Sequence, residues 1–100
     1  MIRPATPADV PEIHAMIAEL ALFEKAPSEA VATVSDLSAA LFGSSPAVYA
    51  HVAESSDGEV VGYAIWFLNF STWRGVHGIY LEDLYVRPTA RGDGHGKALL

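Results

Sequence analysis

YLEDLYVRPTARGDGHGKALL, residues 80–100, is the most informative segment of the chain. Its first part is an apolar run typical of a strand, with Glu82 and Asp83 as adjacent carboxylates, and Pro88 ends that run. Three glycines at alternate positions follow, and KALL then begins an apolar helical repeat. The sequence therefore predicts a strand, a glycine-rich turn and the start of a helix in direct succession.

The glycine turn is suited to an anionic ligand. Gly92, Gly94 and Gly96 can adopt positive φ, and they let a ligand approach the backbone closely. The N–H groups at the start of a helix favour negative charge, and phosphate is the natural guest. Arg91 and Lys97 add positive charge at the two ends of the turn. The alternative is that the glycines only permit a tight crossover from strand to helix.

Two well-known phosphate loops do not match this turn. The dinucleotide fingerprint G-x-G-x-x-G requires glycine or alanine at position 99, which is Leu99. A P-loop requires serine or threonine after Gly-Lys, where the chain has Ala98, and glycine where it has Arg91. The pattern that remains is R-x-x-G-x-G over residues 91–96.

The N-terminal part of the chain predicts two helices after a short extended start. TPADVPEIHAMIAELALFEKAP, residues 6–27, has an apolar helical stripe, with Thr6 as N-cap and Asp9 three residues later. Because Pro11 lacks a backbone donor, regular helix is expected to begin only near that residue. A second, shorter helix is predicted with Ser35 as its N-cap and Gly43 just past its end.

From residue 47 the apolar pattern changes to the period of a strand. AVYAHVAE and EVVGYAIWFLN flank SSDG, which predicts a hairpin, whereas FSTWRGVHG (residues 70–78) is predicted as a loop before the strand IYLEDLYV. The predicted order is β-α-α-β-β-β-α in a single domain over residues 1–100. The fold class is α/β with a mixed sheet.

The amino-acid composition limits the classes of partner that the protein is expected to bind. The 100 residues are 51% hydrophobic, which allows a packed core, and the net charge of −6 argues against nucleic acid and favours a cationic partner. There is no cysteine, and the histidines lack metal-ligand spacing, so no metal site is expected. No signal peptide and no membrane-spanning apolar run is evident, so a soluble cytoplasmic protein is expected.

Residues 80–96 also carry a family resemblance. RGDGHG after LEDLYVRP resembles the acetyl-CoA pyrophosphate loop of the GNAT superfamily of N-acetyltransferases. IRPATPADVPEIHAMIAELALFE (residues 2–24), FSTWRG and IYLEDLYV are similar to the diamine (spermidine/spermine) and thialysine acetyltransferases. The resemblance covers essentially the whole chain. It implies a GNAT fold truncated after the start of the cofactor-binding helix, so these 100 residues alone are expected to be weakly active or inactive.

The resemblance implies a binding site for acetyl-CoA. The backbone of the strand would pair with the pantetheine arm, and the glycine turn would hold the pyrophosphate. The residues carried over are Leu84, Tyr85, Val86, Arg91, Gly92, Asp93, Gly94, His95, Gly96 and Lys97.

The resemblance also implies that a primary amine accepts the acetyl group. An alkylammonium ion has a pKa of about 10, so a base must take its proton near neutral pH. By resemblance Glu82 is that base or a proton relay through water, and Asp83 binds the amine. Consecutive strand positions are expected to point to opposite faces of the sheet. The alternative for both residues is a pair of solvated charges.

The remaining expectations concern the acceptor and the thioester. Trp73 is predicted as a wall of the acceptor site or, alternatively, as a core aromatic; Glu24 adds a charge for the amine or is a solvated helix residue. A backbone N–H near Leu84 could polarise the thioester carbonyl if the strand is bulged there. The predicted function is an N-acetyltransferase for a small-molecule amine, with a homodimer plausible. The alternatives are a non-catalytic acyl-CoA-binding module or an inactive fragment.

Overall fold

The computed structural model describes residues 1–25, 28, 31–92 and 94–100. Its helices and strands follow the predicted order, which is confirmed. They are β1 (Ile2–Pro4), α1 (Val10–Phe23), α2 (Val34–Phe42), β2 (Tyr49–Glu54), β3 (Val60–Ser71), β4 (Val76–Val86) and α3 (His95–Leu99). Short 3-10 turns at Pro7–Asp9 and Pro88–Ala90 precede α1 and follow β4. None of the helices in the described ranges is long and apolar enough to cross a membrane.

The entry into α1 is fixed by Asp9. Asp9 Oδ2 accepts hydrogen bonds from the Thr6 N–H (2.7 Å) and hydroxyl (3.0 Å), and α1 begins at Val10, next to Pro11 as predicted. Arg3 donates to both oxygens of Asp9 at 2.7 and 2.9 Å. These hydrogen bonds from Arg3 and then from Thr6 lower the pKa of Asp9 from 3.8 to about 2, although burial opposes the shift.

Helices α1 and α2 each differ from the prediction at one end. α1 ends at Phe23 rather than near residue 27, and Lys25 already has a left-handed φ of 60° that does not continue a helix; Ala26 and Pro27 lie outside the described residues. The cap of α2 is Thr33, so the prediction of Ser35 is wrong. Thr33 Oγ1 accepts from the Asp36 N–H at 3.0 Å, and this capping box outweighs a lone serine.

The four strands form one antiparallel sheet in the order β1-β2-β3-β4. Helices α1 and α2 cover one face, which holds the larger core, and α3 covers part of the other. The larger core comprises Ile13, Met16, Leu41, Ala50, Val52, Tyr63, Ile65 and Tyr85, and the smaller comprises Ala53, Val61, Val86 and Ala90 with Leu99 packed on it. We call these faces the α1/α2 face and the α3 face.

The β3–β4 hairpin is longer than the sequence predicts. The predicted loop over residues 70–78 is wrong at both ends, because β3 continues to Ser71 and β4 begins at Val76. Cross-strand contacts sustain the extra pairs: the Gly78 N–H donates to Asn69 Oδ1 at 3.0 Å, and the rings of Phe70 and His77 meet edge-on at 5.2 Å. The actual turn is short, and Gly75 supplies its positive φ of 67°.

Candidate active site

A β-bulge in β4 lies at the paired carboxylates. Ile65 of β3 pairs with Asp83, and the next β3 residue, Trp66, pairs with Leu81, so Glu82 is an extra residue without a partner on β3. The sequence analysis required such a bulge for a backbone donor near Leu84. A bulge bends its strand and re-aims the neighbouring side chains, so it is a common device next to active sites.

The bulge places both carboxylates on the same face of the sheet. Tyr85 belongs to the core under α1 and α2, and alternation from it places Asp83 on the α1/α2 face. Tyr80 pairs with and stacks on Phe67, which shares a face with Ile65, so alternation from that end places Glu82 on the same face. The expectation of opposite faces is therefore wrong, because the extra residue interrupts the alternation.

Asp83 has a partner from the neighbouring strand. The hydroxyl of the fully buried Tyr63 donates to Asp83 Oδ2 at 3.3 Å, while Asp83 itself is half-exposed. Burial, followed by the negative charge of Asp83, raises the pKa of Tyr63, and Glu24 contributes in the same direction. Asp83 is therefore tied into the sheet rather than being a freely solvated charge. Glu82, by contrast, is exposed to solvent.

A second polar cluster joins α1 to the end of β4, and the sequence analysis missed it. Glu19 accepts a hydrogen bond from the Tyr85 hydroxyl at 3.1 Å and forms an ion pair with Arg87 at 3.0 Å. Arg87 also forms an ion pair with Glu12 at 3.0 Å. These partners raise the pKa of Arg87, with the hydrogen bond to Glu19 as the largest cause. The seven-residue spacing of the two glutamates, which puts them on one helix face, was the signal available in the sequence.

The outer edge of β4 is open next to the bulge. Within the described ranges, no strand pairs with this edge. The Arg87 N–H points to β3, where it donates to Val61 O at 2.8 Å. Since backbone groups of an antiparallel strand alternate between its two edges, those of Leu84 and Val86 point outward. This edge can accept an extended amide-containing chain as an additional strand.

The glycine turn follows β4 directly and lines a shallow depression. Gly92 and Gly94 have φ of 98° and 79°, and a Cβ added at either would meet no atom within 4 Å. These glycines are thus required by the backbone angle and leave the space in front of them open. Gly94 is also the N-cap residue of α3, and it has no side chain with which to cap the helix. The depression is lined by Val86, Arg91, Gly92, Gly94, His95 and Gly96.

The cations at the two ends of the turn differ in their surroundings. Arg91 Nε donates to Val86 O at 2.9 Å, and its guanidinium lies over the rings of Phe23 and Tyr85 at 5.3 and 5.7 Å. Arg91 therefore fastens the turn to β4 and α1. Lys97 is exposed in the middle of the five-residue helix α3. Asp93, which was predicted to be part of the same loop, lies outside the described residues.

The structure does not gather all the predicted acceptor residues. Glu24 directly follows α1, the helix that covers the same face of the sheet as Asp83. Trp73 lies in the turn of the β3–β4 hairpin and is 98% exposed, so it is not a core aromatic. From Val76 to the bulge the strand extends about 20 Å. Trp73 is therefore remote from Glu82 within this chain.

Taken together, the end of β4 presents three features in sequence. They are a pair of carboxylates at a bulge, an open strand edge, and a glycine turn that leads into the N-terminus of α3. This arrangement can bind a cation beside an extended ligand that ends in an anionic group. Among the described residues, no group of histidine, aspartate and glutamate side chains could hold a metal ion.

Known proteins are similar to this chain in sequence and in fold. Residues 14–100 match the Acetyltransferase (GNAT) family. The thialysine N-epsilon-acetyltransferase of Bos taurus is 40% identical over 107 residues, an alignment that covers 100% of this chain and 62% of that protein. The spermidine/spermine N(1)-acetyltransferase-like protein 1 of Homo sapiens is 35% identical, with 99% of this chain and 15% of that protein covered. The chain thus spans 62% of the length of the Bos taurus relative.

A solved structure shows the same fold. The structure described as a possible acetyltransferase from Clostridium difficile 630 superposes with a TM-score of 0.80 at 20% identity, covering 99% of this chain and 64% of that one. The sequence match supplies the family, and the superposition supplies the fold. The chain belongs to the GNAT family of acetyltransferases.

Proposed function

We propose that the protein is an N-acetyltransferase that moves an acetyl group from acetyl-CoA to a primary amine of a small molecule. The observation that carries the proposal is the bulge in β4, which turns Glu82 and Asp83 to one face immediately before the open edge and the glycine turn. Acetyl transfer to an amine needs a group that takes the proton of the ammonium form, and a carboxylate can do so directly or through water.

The residues of the chain fit acetyl-CoA as the acyl donor. The outward backbone groups of Leu84 and the outward N–H of Val86 suit the amides of an extended arm, and the start of α3 suits a diphosphate. The depression at the turn is open because the glycines carry no side chain into it. When bound, acetyl-CoA supplies an acetyl thioester. The chain's part is to orient the arm along β4 and to hold the diphosphate on backbone N–H groups.

The two carboxylates divide the handling of the amine. Asp83 attracts the ammonium ion, and Glu82, which is exposed to water, takes the proton through a water molecule so that the neutral amine can attack. The Leu84 N–H points to the open edge beside the bulge, where it can donate to an oxygen that gains negative charge. No metal is required for this chemistry.

The acceptor class follows from the carboxylates and from the relatives. A diamine, a polyamine or a thialysine-like amino acid would bring a positive charge to Asp83 and Glu24. The names of the relatives in Bos taurus and Homo sapiens refer to thialysine and to spermidine or spermine, which supports amines of this kind. Contact of Trp73 with the acceptor, a homodimer and a cytoplasmic location remain predictions.

The second candidate is an acyl-CoA-binding module or fragment without turnover. The open edge and the glycine turn would serve it equally well, whereas the same-face carboxylates would have no task. Titration of the full-length protein with acetyl-CoA, followed by an assay for amine-dependent release of free thiol, separates the two. Acetyl-CoA binding with thiol release is expected. Binding without release would favour the second candidate, and absence of binding would refute both.

A further inference from the structure

Tyr63 is a buried titratable residue to which the proposed chemistry gives no task. It lies in the inner part of β3, is fully buried, and pairs with Val52 on one side and Tyr85 on the other. Its ring and the ring of Tyr85 are 6.3 Å apart and tilted by 48°. Neighbours on both strands therefore fix the ring, and the position of its hydroxyl is set by packing.

That hydroxyl is aimed at the candidate amine site. Asp83 is paired with Ile65, two residues further along β3 on the same face, and the Tyr63 hydroxyl spans this diagonal to reach Asp83 Oδ2 at 3.3 Å. Tyr85 on the same face donates instead to Glu19. Of these two core tyrosines, only Tyr63 is hydrogen-bonded to one of the paired carboxylates in the described structure.

We infer that Tyr63 is a positioning residue, which fixes one oxygen of Asp83 so that the other faces the ammonium group of the acceptor. The inference rests on the proposed function and deepens it. A carboxylate on an edge strand would otherwise rotate freely and would bind a cation with no fixed direction. The bond from Tyr63 orders the carboxylate before the amine arrives, which reduces the entropy lost on binding.

The surroundings of Tyr63 keep its hydroxyl a donor. Burial is the first cause of its raised pKa, and the charges of Asp83 and Glu24 add to it. The phenol therefore stays protonated at neutral pH. Its role is confined to a hydrogen bond, and it takes no part in proton transfer.

Tyr63→Phe in the full-length protein tests the inference, because phenylalanine keeps the buried ring and removes only the hydroxyl. With 1,4-diaminobutane as the probe, the KM for the amine is expected to rise about fivefold, as for the loss of one modest hydrogen bond. The kcat and the affinity for acetyl-CoA should change less than about twofold. Tyr49→Phe, on the α3 face of β2, is the matched control and should leave all three unchanged.

A double variant shows whether Tyr63 acts through Asp83. In an Asp83→Asn background, Tyr63→Phe should raise the KM no further, whereas independent roles would give multiplied effects. Independent effects, an unchanged KM in Tyr63→Phe, or an equal change in Tyr49→Phe would overturn the inference. Thermal unfolding of each variant separates lost folding from lost positioning.

Calorimetric titration with 1,4-diaminobutane distinguishes this inference from the proposed function. Transfer activity with no weakening of diamine binding in Tyr63→Phe would refute only the role of Tyr63. Diamine binding that weakens in Tyr63→Phe, in a protein that transfers no acetyl group, would refute the acetyltransferase proposal and support the role of Tyr63. A protein that binds no diamine would contradict the role of Tyr63 whatever its affinity for acetyl-CoA.

Discussion

The β3–β4 hairpin has two halves that share one ladder and differ in burial. The inner half, residues 62–65 with 83–86, lies within the core, and Tyr63 and Ala64 are 0% and 1% exposed. The outer half, residues 66–71 with 76–81, keeps the same antiparallel pairing, yet Phe70 and Ile79 are 54% and 73% exposed. The bulge at Glu82 separates the two halves.

The difference shows that the buried inner half stabilises the fold, whereas the candidate site lies at its border with the exposed outer half. Backbone pairing and cross-strand side-chain contacts hold the outer half together, but the burial that stabilises the fold is concentrated in the inner half. The carboxylates therefore lie where the buried half of the hairpin meets the exposed half, with Asp83 half-buried and Glu82 open to solvent. A site of this kind combines fixed geometry with access for a ligand.

Truncating one apolar residue in each half tests this comparison most strongly. Ile65→Ala in the inner half should lower the free energy of unfolding by about 3 kcal/mol, because a buried side chain is lost and a cavity is left. Phe70→Ala in the outer half should lower it by less than about 1 kcal/mol, since half of that side chain is already in water. Urea titration measures both, and equal losses would show that the outer half is packed.

Removing the charge at the bulge is expected to have the next largest effect, on turnover. Glu82→Gln should lower kcat about 100-fold, most strongly at lower pH where more of the amine is protonated, with acetyl-CoA affinity nearly intact. Glu59→Gln, at the exposed start of the hairpin before β3, is the control for loss of a carboxylate. A pH–rate profile of the Glu82 variant that matches the wild type would remove Glu82 from the mechanism.

Lowering the pH should decrease the free energy of unfolding, because Asp9 becomes protonated. Its pKa is lowered from 3.8 to about 2 in the folded protein, so its stabilising contribution is complete above 3.8 and is lost as the pH falls from there through 2. The full contribution is about 2 kcal/mol. Urea titrations at pH 5 and pH 2 should show a smaller loss with acid in Asp9→Asn than in wild type. Asp57→Asn, in the exposed β2–β3 turn, should behave as wild type.

The glycine turn that continues from the inner half should give the smallest effect. Gly94→Val should weaken acetyl-CoA binding about tenfold, because a branched side chain strains the positive φ and obstructs the depression. Gly75 has a similar φ, 67°, in the β3–β4 turn, so Gly75→Val imposes a comparable strain away from the depression. Calorimetry of both variants should show weaker binding only for Gly94→Val, and equal affinities would contradict the loop assignment.

Much of the fold could be predicted because its signals are local. Thr6 and Asp9 at the start of α1, Gly43 after α2 and the Asp57–Gly58 turn each act within a few residues, and the structure bears them out. The misplaced cap at Ser35 and the shortened loop at residues 70–78 were also local features, but each had a stronger competitor. Thr33 completes a capping box, and cross-strand pairs extend the hairpin.

The order of elements, the family and the two adjacent carboxylates before a glycine turn can all be read from the amino-acid sequence. The three-dimensional structure was needed to show that Glu82 is an extra residue, that both carboxylates share a face, and that Tyr63 is hydrogen-bonded to Asp83. Likewise, it brought Glu19 to Arg87 and Tyr85, and Arg91 over Phe23. The physical reason is that register and side-chain contact depend on which residue of a distant segment lies opposite, and local periodicity carries no information about that pairing.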